Sequence, residues 1–106
     1  MLELGPADHG STHTVGPGDE VLLRLPENPG TSCVWQVESL PPGLETTGGS
    51  FTRRSSAIGA SGTRTLCFRA LGAPQGERRL DLAERRPWEP DYPPAAVFTV
   101  TLRFTG

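Results

Sequence analysis

The chain has 106 residues and a formal net charge of −2, with no block of like charges, so neither nucleic acid nor an anionic membrane is indicated as a partner. Apolar residues make up 35%, with 13 Gly and 11 Pro, a composition that suits one domain of short strands and tight turns and excludes a collagen-like or strongly disordered chain. No apolar run approaches the roughly 18 residues of a membrane helix. Residues 1–20 carry Asp8, His9 and Gly-Pro pairs and no apolar h-region, so no signal peptide is expected there, and a secreted or periplasmic compartment stays open if a leader was removed. All ten basic residues are Arg. Two cysteines, Cys33 and Cys67, do not decide the redox compartment.

Residues 1–10 are expected to form a loosely ordered N-terminal segment of a single domain spanning 1–106. Thr12 to Val15, ahead of Gly16-Pro17-Gly18, makes a plausible opening strand. Val21, Leu23 and Leu25 alternate with Leu22 and Arg24 in a half-buried strand at about 19–25. Cys33, Trp35 and Val37 alternate with Val34, Gln36 and Glu38 over 33–40, and Pro41-Pro42-Gly43 stops that strand. Phe51 lies in a short polar segment that reads as a weak edge strand. Leu66, Phe68 and Ala70 alternate with Thr65, Cys67 and Arg69, and Leu80 and Leu82 alternate with Arg79, Asp81 and Ala83. The clearest strand runs from Val97 to Phe104, with Phe98, Val100, Leu102 and Phe104 on one face. About seven strands separated by frequent turn signals predict an all-β, immunoglobulin-like sandwich.

Three connections then share one end of the sandwich: residues 26–32, about 53–62 and 85–94. The last holds Arg86-Pro87-Trp88 within a Pro-rich stretch that excludes both a helix and a central strand. Trp and Arg on a stiff loop point to a binding hot spot, and the bland alternative is that Trp88 folds back to cap the core. Gly59-Ala60-Ser61-Gly62 is bare backbone that reads either as a simple turn or as an edge offered to a partner strand. Asn28-Pro29-Gly30-Thr31-Ser32 is an ordinary turn by composition, of interest for its position.

Chemistry is not indicated. A nucleophile needs a positioned base, and the only histidines, His9 and His13, stand in the N-terminal stretch. Those two histidines have no Cys or acidic partner at metal-ligand spacing, Glu89 and Asp91 read as an exposed acidic turn, and no Gly-rich phosphate loop precedes a helix. No catalytic residue, metal or cofactor is therefore expected.

In order and spacing the three turns resemble those of the chagasin-type inhibitors of papain-like cysteine peptidases (family I42). The family's first loop, N-P-T-T-G-[YF]-x-W, corresponds to Asn28-Pro29-Gly30-Thr31-Ser32-Cys33-Val34-Trp35. Its second, G-x-G-G, corresponds to Gly59-Ala60-Ser61-Gly62, and its third, R-P-W, is kept as Arg86-Pro87-Trp88. The resemblance extends from about Thr12 to Phe104 and implies an Ig-like inhibitor that is not an enzyme, is monomeric when free and has a papain-like cysteine peptidase as partner. It also implies reversible, tight binding by plugging. Asn28–Ser32 would enter the cleft with Thr31 near the enzyme's nucleophile. Gly59–Gly62 would pair with a substrate-binding edge, and Trp88 would stack on an aromatic wall with Arg86 and Pro87 in support. Gly30, Ser32, Ser61 and Cys33 depart from the family pattern. The competing expectation is an Ig-like binding or adhesion module with another protein partner.

Two expectations concern the interior. Trp35, on the face of Val37, should be a core residue. Cys33 should point inward and Cys67 outward, which keeps the thiols apart; a bulge in the strand of Cys67 would instead let them link the two sheets.

Overall fold

The structure, a computed structural model, describes residues 2–27, 33–53, 62–72, 75–86, 88–89 and 93–105. Within them the alternating runs become eight strands: β1 (Leu2–Leu4), β2 (Thr12–Val15), β3 (Glu20–Glu27), β4 (Val34–Ser39), β5 (Leu44–Arg53), β6 (Gly62–Ala70), β7 (Gly76–Arg85) and β8 (Ala96–Phe104). They form two four-stranded sheets, in the orders β1-β3-β6-β5 and β2-β8-β7-β4. The expected sandwich is thus present. β1 runs parallel to β3 and β2 parallel to β8, and the other pairs are antiparallel.

Parity along the strands builds the core. Val21, Leu23 and Leu25 of β3 and Phe68 of β6 belong to one buried cluster with Leu80 and Leu82 of β7 and Phe98, Val100 and Leu102 of β8. Each is at most 2% exposed, so each contributes close to its full transfer free energy, about 1.5–3 kcal/mol for a Val, Leu or Phe. Gly16-Pro17-Gly18-Asp19 turns the chain from β2 into β3. Asp19 N–H donates to the Gly16 carbonyl, and Gly18 takes φ +80°, as the third residue of a type II turn requires.

Three expectations change. Residues 2–10 are not loose: Leu2–Leu4 pairs with Val21–Leu23, and Leu4 is buried. The Pro6–Asp8 3-10 turn follows. Gly10 N–H donates to the Thr99 carbonyl at 2.7 Å, and His9 Nδ1 accepts Thr99 N–H at 3.0 Å. The segment therefore crosses from one sheet to the other and adds a strand to the seven read from the sequence, in keeping with an expectation of about seven. Three residues are too few to show a period, so β1 has no sequence signal.

The weak edge strand around Phe51 is in fact ten residues long. Its Gly- and Thr-rich sequence hides it, because Glu45 to Ser50 are all exposed and the ladder to β6 holds it in place. Trp35 is only partly buried and packs on the margin of the core, since β4 is an edge strand.

The register shifts lie in β5, between Thr46 and Gly48, and in β4, between Val37 and Ser39, and not in the strand of Cys67. β6 keeps its alternation, with Phe68 and Ala70 inward and Cys67 half-buried on the other face, where it pairs with Leu22 and Gly48. Cys33 is buried and the two cysteines form no disulfide. Intact mass should therefore be the same with and without reductant, and both thiols should titrate in denaturant. A monomer about 2 Da lighter before reduction would contradict the geometry.

Candidate functional site

The three connections of interest leave the fold from one end. In the first sheet Gly62 pairs with Glu27 on one side and Arg53 on the other, so β3, β5 and β6 all meet residues 28–32 and 54–61 at the same level. In the second sheet Val34 pairs with Arg85 and Glu84 with Ala96, which places the arms of 86–95 beside the return from residue 32. A hydrogen bond from Trp35 N–H to Glu27 Oε1, 2.9 Å, ties the two sheets together at this end.

Glu27 is the buried charge among the described residues, 3% exposed. Removing a carboxylate from water costs several kcal/mol unless charge and hydrogen bonds replace the solvent. Here they do. Arg64 Nη2 lies 2.7 Å from Oε2, and Arg64 Nε lies 3.3 and 3.2 Å from Oε1 and Oε2. The guanidinium in turn sits 5.1 Å above the centre of the Phe51 ring, a cation–π contact. Trp35 braces the same point twice, because its indole N–H also donates to the Pro26 carbonyl at 2.9 Å.

Gly62 is a glycine for reasons of space. A Cβ there would lie 2.4 Å from the Thr52 carbonyl oxygen and 2.6 Å from the Phe51 ring. Any side chain would push apart the ladder that positions Arg64. The last glycine of the Gly59-Ala60-Ser61-Gly62 turn thus has a packing role that composition does not reveal.

On the other sheet, Arg85 Nε pairs with Glu38 Oε1 across β7 and β4. Ala95 N–H donates to the Glu84 carbonyl at 2.8 Å, carrying the β7–β8 ladder toward the connection. Arg86 to Glu89 is closed as a turn by Glu89 N–H donating to the Arg86 carbonyl at 3.0 Å, with Arg86 Nη1 3.6 Å from Glu89 Oε2. Trp88, inside that turn, is 64% exposed, so it does not cap the core. Cys33, Arg85, Arg86, Glu89, Pro93 and Ala95 line a cavity of about 190 Å³ at the base of this turn.

Of the expected site residues, the structure describes Gly62, Arg86 and Trp88. Asn28, Pro29, Gly30, Thr31, Ser32, Gly59, Ala60, Ser61 and Pro87 lie outside the described residues. Sequence reasoning missed Glu27, Arg64, Phe51 and Glu89. A signal for the first two was available, because Glu27 continues the inward parity of Val21, Leu23 and Leu25, and Arg64 that of Leu66, Phe68 and Ala70. Opposite charges at inward positions near one end of a sandwich mark a buried pair.

His9 and His13 take structural positions: the His9 ring tilts against Phe98, and His13 Nε2 lies 2.7 Å from Ser11 Oγ. No group of three or more His, Cys, Asp or Glu that could hold a metal occurs among the described residues.

Glu84, opposite Trp35 in the β4–β7 ladder, is pushed above its ordinary value of 4.5 by burial and then by repulsion from Glu27. A carboxyl with a raised folded value favours folding while protonated, and that contribution is lost as pH climbs from about the unfolded value through the folded one. Glu84→Gln should therefore raise the melting temperature relative to the parent more at pH 7 than at pH 4. An equal gain at both would contradict it.

The Chagasin family peptidase inhibitor I42 pattern matches residues 14–102 of the chain. Among solved structures, the fold is similar to the cysteine protease inhibitor EhICP2 from Entamoeba histolytica, with a TM-score of 0.81 at 19% identity over 97% of this chain and 94% of that one. It is also similar to amebosin, TM-score 0.75 at 26% identity over 98% and 97%. PbICP-C, solved in complex with falcipain-2, gives 0.58 at 13% identity over 99% and 98%. No curated protein matches the sequence. The matched span takes in β3 to β7 whole, together with the three connections that leave their common end, and the chain belongs to the chagasin family (I42) of peptidase inhibitors, which are not enzymes.

Proposed function

We propose that the chain is a reversible, tight-binding inhibitor of papain-like cysteine peptidases that blocks the active-site cleft with residues 28–32, 59–62 and 86–88. The observation that carries this reading is the common origin of the three connections at one end of the sandwich, with Trp88 exposed beside them. Family membership supports an inhibitor. The names of EhICP2 and of the PbICP-C complex with falcipain-2 support the cysteine peptidase class.

The mechanism is occupation without chemistry. Asn28, Pro29, Gly30, Thr31 and Ser32 enter the cleft, with Thr31 near the enzyme's thiol. The Gly59, Ala60, Ser61 and Gly62 backbone offers N–H and C=O groups to a substrate-binding edge, as in strand addition. Trp88 stacks on an aromatic wall and is an anchor of the kind that dominates interfaces, with Arg86 and Pro87 supporting it. The pairing of Arg86 with Glu89 supports a turn that holds Trp88 outward before the enzyme arrives, which lowers the ordering cost of binding.

Titration of papain, and of a cathepsin L-like enzyme, tests the reading. Stoichiometric loss of activity that returns on dilution is expected, and full activity at excess protein overturns it. Trp88→Ala should weaken inhibition by at least about 1–2 kcal/mol with the melting temperature kept. A sharp drop in melting temperature with unchanged affinity would assign Trp88 to the fold instead. Thr31→Arg, whose bulk would block entry, should weaken inhibition more than Thr31→Ala, and a Thr31→Arg variant as potent as the parent would remove the first loop from the cleft.

A further inference from the structure

Both arms of the first connection and both arms of the second meet at one ion pair. Glu27 ends β3 and Trp35 begins β4, so they bracket residues 28–32. Phe51 stands near the end of β5 and Arg64 near the start of β6, so they bracket 54–61. The Glu27 carboxylate accepts from Trp35 N–H with Oε1, and from the Arg64 fork on both oxygens, while Phe51 lies under the guanidinium. Gly62 leaves the space that lets Phe51 come so close.

An apolar pair of similar volume would hold a sandwich end as well or better, because a buried ion pair is weak evidence for stability. What the ion pair adds is direction. A planar fork and a carboxylate meet in few geometries, and the third ligand, Trp35 N–H, belongs to the opposite sheet. We infer that Glu27 and Arg64 are positioning residues that fix the first and second loops relative to each other, so that both engage one enzyme surface at once. This inference rests on the inhibitor reading, and neither residue touches the enzyme in it.

The test uses the full chain with Glu27→Gln, which keeps the shape and an acceptor for Trp35 N–H, Arg64→Met, which keeps the stem over Phe51, and the double variant. Val15→Ala is the control. It removes core volume at the far end, where Val15 pairs with Phe104, and should lower the melting temperature without changing inhibition. All inhibition constants are measured against papain at a temperature where each variant is folded.

Each single substitution should raise the inhibition constant by about 10-fold or more, mainly through faster dissociation. The double variant should lose no more than the worse single, because the pair acts as one unit. Arg64→Met should also speed amide exchange at Trp35 in the free protein, although Arg64 does not bond that amide. If Glu27→Gln does not fold, Arg64→Lys, which keeps the charge and loses the fork, carries the same comparison.

Lowered melting temperature with an inhibition constant within about twofold of the parent would overturn the inference, and so would losses that simply add. If the parent itself leaves papain fully active, the inhibitor reading fails and exchange decides alone. Faster exchange at both 33–35 and 62–64 in Arg64→Met keeps the coupling of the two loop bases, and unchanged exchange at Trp35 overturns it.

Discussion

The carboxylate of Glu27 gives up its water on folding, and the ends of four strands are arranged around the replacement. Arg64 supplies the charge, Trp35 supplies a backbone donor from the other sheet, Phe51 covers the guanidinium, and Gly62 makes room for Phe51. None of these works alone. Without Arg64 the carboxylate is a buried, half-satisfied anion, a state that costs about 3–5 kcal/mol. Without space at Gly62 the Phe51 ring cannot lie where it does. The cross-strand pairs of Arg24 with Glu3 and Arg103 with Glu77, by contrast, are about half exposed on both sides and each contributes little.

The ion pair also anchors the strands least able to anchor themselves. β4 and β5 are edges of opposite sheets. From Glu45 to Ser50 β5 buries no side chain, and β4 buries none of its residues fully. Yet these two strands supply Trp35 and Phe51, and both touch the same pair. Edge strands with little core of their own are the natural place for local opening. Fastening them at the loop-bearing end concentrates order where the proposed inhibitor needs preformed loops, and leaves the bulge between Thr46 and Gly48 away from it.

The sandwich could be read from the sequence because parity is a strong signal where one face is buried. Val21-Leu23-Leu25 and Phe98-Val100-Leu102-Phe104 show it without ambiguity, and strand order then places three connections at one end. β1 could not be read, since Leu4 is buried and Leu2 partly buried by pairing with β3 and not by any local period. The length of β5 could not be read either, as its ladder partner and not its composition holds it. Trp35 misled because a strand's face was legible and its place at a sheet edge was not. Glu27 and Arg64 form an intermediate case. Their inward parity was visible, but that they meet depends on the register that sets Leu25 against Arg64, which puts Glu27 on the adjacent diagonal.

Cys33 stands buried at the base of the first loop, just ahead of β4. The resemblance to the family implies an aromatic at this position, where the chain has a cysteine. A buried thiol is far smaller, and the cavity bounded by Arg85, Arg86, Glu89, Pro93 and Ala95 lies next to it. The support seen at this end comes from hydrogen bonds. Two N–H groups of one residue, the Trp35 amide and indole, bond Glu27 and Pro26 at 2.9 Å each and bind the two arms of the first connection together. In the proposed mode of binding two loops meet one cleft in register, and Trp35 N–H and Arg64 hold the bases of both on one carboxylate.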